Sequence, residues 1–218
     1  MKPMTITLAL TGASGMPYGF RLLQCLTEME EVSVQLLYSQ AAQIVISQEA
    51  GLTLPARPSD AKEALGKALG INTNRLRVYG REDYLSPVAS GSNPSNAMVI
   101  CPCSMGTLAA ISQGLSDNLI ERAADVMLKE QKKLILVPRE TPLSAIHLEH
   151  MLRLAKMQAV ILPPSPGFYT HPQTIADLID FIVARILDHL GLTHALISRW
   201  GENRVQEIQA GASLQTQG

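Results

Sequence analysis

Thr5-Ile6-Thr7-Leu8-Ala9-Leu10-Thr11-Gly12-Ala13-Ser14-Gly15 decides the fold of this chain. Its first six residues alternate threonine with aliphatic side chains, the composition of a buried strand. A turn of small residues comes next, and then an amphipathic stretch from Tyr18 to Glu28. Strand, tight turn and helix in that order form the opening half of a β-α-β unit. The glycines permit the bend, and backbone N–H groups at the start of a helix favour a phosphate. An ordinary turn with Ser14 as the helix N-cap explains the same residues equally well. The stretch is neither GxGxxG nor a P-loop, because the lysine is missing.

The same alternation continues outward from this unit. Val32–Tyr38 (VSVQLLY), Ala97–Cys101, Lys133–Val137 and Ala159–Leu162 read as further buried strands. Helical patterns cover Ser39–Glu49, Gly106–Gln113, Asn118–Lys129, Leu143–Met157 and Ile175–Leu190. Alternation of this kind predicts an α/β fold, a doubly wound parallel sheet with helices on both faces. Residues 54–94 break the rhythm with Pro55, Pro58, Pro87 and Pro94 and a small helix near Ser59–Leu69. We read them as an excursion over the site within one domain spanning 1–200, and 201–218, rich in Gln, Gly and Ser, as a tail expected to fray. Ligands of open parallel sheets sit beyond the carboxyl ends of the strands. The segments at those ends are TGASG, Tyr38-Ser39, Pro102-Cys103-Ser104, Pro138-Arg139-Glu140 and Pro163-Pro164, so small residues, hydroxyls and a cation gather at one rim.

Composition narrows the function classes. Of 218 residues, 46% are hydrophobic and 17% charged, with a net charge of -1, so the chain can build a large core and has no basic field for nucleic acid or anionic membrane. No apolar run reaches the roughly 18 residues of a membrane span. Cys25, Cys101 and Cys103 form no CxxC pair, which argues against zinc and for a reducing compartment, the cytoplasm by default. Ser104 and Thr107 in Cys101-Pro102-Cys103-Ser104-Met105-Gly106-Thr107 can cap a helix or hold a phosphate, and the cysteines read as small buried hydrophobes. Arg122 and Lys129, seven apart, share a helix face, ordinarily a solvated one. Arg139-Glu140, directly after an apolar strand, reads as a semi-buried pair at a site, with a structural ion pair as the alternative. His147 and His150 lack HExxH spacing and read as exposed or capping residues, so no metal is expected.

Taken in order, TGASG, Ser39, Ser90-Gly91-Ser92, CPCS, Asn118 to Val126, Lys129-Glu130, Val137 to Pro142 and Pro163 to Tyr169 resemble the UbiX-type flavin prenyltransferases from about Thr5 to Trp200. The resemblance implies a flavodoxin-like (Rossmann-like) fold and a homo-oligomer, typically a dodecamer with sites between subunits. It implies reduced FMN as acceptor, alkylated at N5 and C6, and dimethylallyl phosphate as donor, with the product received by a UbiD-type decarboxylase. Gly12, Ala13, Ser14, Ser39, Ser104, Met105, Gly106, Thr107 and Arg139 match the family's FMN contacts. Ser90, Gly91, Arg122, Lys129, Tyr169 and Arg185 match those around dimethylallyl phosphate. Ser14, Glu49, Tyr84 and Glu140 match the residues given to catalysis, Tyr84 standing where some members carry tryptophan.

The chemistry suits these residue types. A departing phosphate needs cations and donors, supplied by Lys129, Arg139, Arg185 and Tyr169. An allylic cation needs a water-poor pocket and an aromatic face, for which Tyr84 and the flavin are the candidates. Glu49 and Ser14 are candidates for proton transfer, and Glu140 for protonating the phosphate. Two rivals remain: a flavin-dependent decarboxylase, although no PxMNxxMW-type clamp is present, and a non-catalytic FMN carrier or assembly factor.

Overall fold

Met4–Leu10 is the first strand (β1), with Ile6, Leu8, Ala9 and Leu10 wholly inaccessible to solvent. This computed structural model of the chain describes residues 3–197. The strand is followed by α1 (Met16–Glu28), β2 (Val32–Tyr38), α2 (Gln40–Ala50), α3 (Pro58–Leu69), β3 (Leu76–Val78), β4 (Ala97–Cys103), α4 (Met105–Gln113), α5 (Leu119–Lys129), β5 (Lys133–Pro138), α6 (Ala145–Lys156), β6 (Val160–Ile161) and α7 (Ile175–Leu190). All six strands are parallel, in the order β3-β2-β1-β4-β5-β6. Setting aside the three-residue edge strand β3, the order is the flavodoxin-like one, whose direction reverses between β1 and β4.

The period-two pleat sorts the strand side chains onto two faces. Ala9, Leu37, Met98, Ile100, Leu134 and Leu136 join Leu108, Ile111, Leu119, Ala123, Met127, Met151 and Leu154 of α4, α5 and α6 in one core cluster. On the other face α1 lies so close that a Cβ at Gly19 would collide with the Cys101 carbonyl oxygen and come within 2.7 Å of Leu10. Overpacking of that kind ordinarily costs ~1–3 kcal/mol, so α1 sits at this depth only because residue 19 has no side chain.

The chain divides into two compact units, Met1–Ser165 and Pro166–Gly218. The sheet and α1 to α6 belong to the first, α7 to the second. The tail expected to fray, 201–218, lies outside the described residues, as does Trp200.

Three details differ from the sequence reading. The excursion at 54–94 contributes β3, which pairs Val34 with Leu76 and Leu36 with Val78. Of its three residues only Leu76 is buried, too little to stand out as a strand pattern. β4 runs on through Cys103, because the register shift between Ile100 and Cys103 accommodates Pro102, which cannot donate to a ladder. β6 is only Val160–Ile161. No described helix is long and apolar enough to cross a membrane.

Candidate active site

The ends of β1 and β4 are tied together by one hydroxyl. Thr11 Oγ1 donates to the Pro102 carbonyl (2.9 Å) and accepts from Ser104 N (2.7 Å). That link fixes the start of α4, whose N-cap Ser104 accepts from Thr107 N (3.3 Å) and donates to Thr107 Oγ1 (3.0 Å). Ser39 caps α2 in the same way, accepting from Ala42 N at 3.0 Å. Both helices therefore start at the carboxyl rim. Between them opens a cleft of about 290 Å³ lined by Gly12, Ser39, Gln40, Ala41, Arg81, Ser104, Thr107, Asn118 and Ile120. Gly12 is required by packing, since a Cβ there would collide with Ala41 Cβ. Gly106 has no such reason: its Cβ would meet nothing within 4 Å, although glycine near the start of a helix is destabilising. The space above it is available to a ligand. Two helix N-termini, several hydroxyls and an open glycine fit a phosphate and the flavin attached to it. Ala13 and Met105 have buried side chains, leaving mainly their backbone to face a ligand.

A second group of expected residues surrounds the start of α1, where the structure corrects the sequence reading. The N-cap is Gly15, with φ of 116°, and not Ser14. The helix N-terminus holds a carboxylate of its own chain: Glu49 accepts from Gly15 N (3.0 and 3.2 Å) and Met16 N (2.9 Å). Burial alone would raise the Glu49 pKa, but hydrogen bonds from the Ser14 hydroxyl and the Met16 and Gly15 amides, with the charge of Arg139, hold it below the usual carboxylate range. Arg139 Nε donates to the Ser14 carbonyl at 3.3 Å. Among the described residues Arg139 makes no ion pair with Glu140, contrary to the expected Arg–Glu pair. The strand ends just before them, Arg139 turns towards Ser14, and Glu140 Oε1 accepts from Thr141 N at 3.2 Å.

The depressed pKa of Glu49 has a consequence for stability. Its favourable interactions belong to the ionised form, so they are present above the ordinary carboxyl pKa of about 4.3 and are lost as pH falls through the lower folded value. Glu49→Gln removes this dependence. Denaturant unfolding of both proteins between about pH 6 and pH 3 should show the wild type losing stability relative to the variant on the acid side. A pH-independent difference would contradict the geometry.

A third group lies at the far end of α5. Gly91 sits against Lys129 and Glu130, its absent Cβ falling where their charged ends lie. Lys129 Nζ pairs with Glu130 Oε1 at 2.5 Å, and Ser90 shares a 2.8 Å hydrogen bond with Ser92. Arg122 donates from Nε to the Ala89 carbonyl (3.0 Å) and pairs with Asp125 (2.8 Å), anchoring the loop before Ser90. Asn118 at the start of α5 lines the rim cleft, whereas Lys129 lies eleven residues on, about 16 Å along the axis at 1.5 Å per residue.

Tyr84 and Leu85 stand on an exposed loop, Leu85 fully so. In the second unit, Tyr169 packs edge-on against Phe181 with ring centroids 5.7 Å apart, and Arg185 pairs with Asp188 at 2.7 Å. Burial pushes the Cys101 and Cys103 thiols far up, so both are inert packing residues. His147 completes a capping box with Ser144, and His150 Nδ1 lies 2.6 Å from Ser112 Oγ. Among the described residues no group of His, Cys, Asp or Glu is placed to hold a metal ion. A wider cavity of about 750 Å³, lined by residues such as Thr5, Ser33, Arg75, Arg77 and Asn96 at the amino ends of the strands, contains none of the expected site residues.

Comparison with known proteins bears on the family and the fold. The flavoprotein family profile matches residues 1–187. The flavin prenyltransferase UbiX of Pseudomonas aeruginosa is 54% identical over 203 residues, 93% of this chain and 97% of that one. The chain belongs to the flavin prenyltransferase family. Among solved relatives, AnUbiX, crystallised with FMN and dimethylallyl pyrophosphate, superposes with a TM-score of 0.80 at 40% identity, covering 91% of this chain and 97% of its own. A dodecameric FMN-dependent UbiX-like decarboxylase from Escherichia coli O157:H7 also scores 0.80, at 41% identity over 90% of this chain and 99% of that one. Of the cleft lining, sequence reasoning did not single out Gln40, Ala41, Arg81, Asn118 and Ile120, nor Thr11, which ties the two strand ends together. Asn118 carried a signal as an N-cap, while Arg81, beside Glu82 and Asp83, reads as solvated loop charge.

Proposed function

We propose that this chain moves the dimethylallyl group of dimethylallyl phosphate onto N5 and C6 of reduced FMN, without a metal ion. The observation that carries this reading is the rim cleft, lined by the N-caps of α2 and α4, Ser39 and Ser104. Ser39, Ser104 and Thr107 would hold the FMN phosphate there, and Ser14 and Arg139 would serve as further flavin contacts. Reduced FMN supplies the nucleophilic nitrogen and carbon.

The chain's own residues handle charge and protons. Glu49, held ionised at the start of α1, accepts a proton through Ser14. Glu140 gives a proton to the phosphate as its bond to the allylic carbon breaks. Ser90, Gly91 and Lys129 are the further donors proposed for that phosphate. Because Lys129 is about 16 Å along α5 from the cleft, it serves a site completed by another copy of the chain, which favours a homo-oligomer, dodecameric as in the relative from Escherichia coli. The exposure of Tyr84 supports the same view, since an aromatic face over an allylic cation must be shielded from water. We further propose that the protein works in the cytoplasm and that its product passes to a UbiD-type decarboxylase.

The relative from Escherichia coli bears a decarboxylase name, so the second reading is direct decarboxylation of an aromatic acid. The two readings differ in what they release. Anaerobic incubation with reduced FMN and dimethylallyl phosphate should liberate inorganic phosphate in step with flavin consumption, in the presence of EDTA. Carbon dioxide from an aromatic acid, with no phosphate from the allylic donor, would favour the decarboxylase.

A further inference from the structure

We propose that Arg81 makes the rim cleft select a phosphorylated flavin over its dephosphorylated form. The inference rests on the reading of that cleft as the FMN phosphate site. Of the nine residues lining it, Arg81 alone carries a charge. Arg139, the cation expected from the sequence, is not among them; it is engaged with the Ser14 carbonyl and the field of Glu49. A phosphate dianion held by uncharged hydroxyls and amides needs a counter-charge, and within the cleft this is the guanidinium of Arg81.

The loop that carries Arg81 is fixed by its backbone and leaves the side chain uncommitted. Tyr79 N donates to the Leu36 carbonyl of β2 (3.1 Å), and the Arg81 carbonyl accepts from Leu119 N at the start of α5 (2.9 Å). Glu82 and Asp83 are its chain neighbours, yet among the described residues the Arg81 guanidinium has neither an ion pair nor a hydrogen-bond partner. Arg81 also lines an adjoining cavity of about 280 Å³ with Tyr38, Gln40, Gln43, Ala56, Tyr79 and Gly80, so the residue borders two openings. An exposed arginine on an anchored loop, free of internal partners and lining the cleft between two helix N-termini, is available for a bidentate phosphate contact.

The test is the affinity of the full-length protein for oxidised FMN and for riboflavin, measured by flavin fluorescence quenching in wild type, Arg81→Ala and Arg81→Lys. Wild type should prefer FMN. Arg81→Ala should weaken FMN binding roughly 10- to 100-fold, the worth of a charge-assisted hydrogen bond, and leave riboflavin binding unchanged. Arg81→Lys should recover part of the FMN affinity, since an ammonium restores charge without the planar fork. Unchanged FMN preference in Arg81→Ala would overturn the role of Arg81 while leaving the cleft in place. An equal loss for both flavins would overturn it too, because the residue would then be supporting the loop and not reading the phosphate. If wild type itself shows no preference for FMN, the cleft is not the phosphate site and the reading beneath this inference fails.

Discussion

Glu140→Gln should bind dimethylallyl phosphate about as well as the wild type and lose roughly 10²–10⁴ in single-turnover rate, the usual worth of a positioned general acid. The amide keeps a hydrogen-bond donor and the shape of the side chain but has no proton to give. A general acid must carry that proton at working pH, and a cation beside a carboxyl works against this by favouring the ionised form. The structure removes the nearest objection. Arg139 adjoins Glu140 in sequence, yet its guanidinium turns to Ser14 and the field of Glu49, while Glu140 engages the Thr141 amide. The arriving phosphate then decides the matter, because a dianion disfavours a second negative charge beside it and so draws the shared proton between them. Single-turnover absorbance of reduced flavin, with substrate affinity measured separately, distinguishes the two effects. Near-normal chemistry in the variant would take Glu140 out of the mechanism and leave the phosphate to depart on cations alone.

Ser104→Asp should abolish retention of FMN. Aspartate caps helices as well as serine does, so α4 should still form and still present Thr107 to the cleft. What changes is charge. A carboxylate about 4 Å from a phosphate is opposed by about 4 kcal/mol for each unit charge at an effective dielectric near 20, roughly a thousandfold in affinity. Ser104→Ala separates charge from capping: it loses the contacts to Thr107 and about 1 kcal/mol of helix stability, without adding repulsion. The expected order of flavin content on purification is therefore wild type, then alanine, then aspartate with none. Full yellow colour in Ser104→Asp would place the phosphate elsewhere.

The sequence was informative wherever one periodicity ran uninterrupted. Val32–Tyr38 and Ile175–Leu190 fold with the bounds their patterns predict, and Ser39, Ser104 and Asn118 cap the helices they precede. It was silent on β3, where one buried leucine between an asparagine-rich turn and an arginine carries no period. The TGASG turn left two readings open, a phosphate loop and a serine cap; the structure corrects the second, since the cap is Gly15. The donors at the start of α1 are satisfied by Glu49, 34 residues beyond Gly15, a separation that no local pattern reveals. Arg139 and Glu140 looked like a pair because they are neighbours in sequence; they follow the end of β5, where Arg139 reaches the Ser14 carbonyl and Glu140 the Thr141 amide. Arg81 was invisible for a related reason, since it takes its meaning from helix ends that only the sheet brings together.

The most direct test of the account is the mass of the flavin after anaerobic incubation of the full-length protein with reduced FMN and dimethylallyl phosphate. An FMN adduct heavier by one five-carbon prenyl unit should form in the presence of EDTA. Recovery of unmodified FMN, with the allylic phosphate intact and the protein folded and flavin-bound, would contradict it.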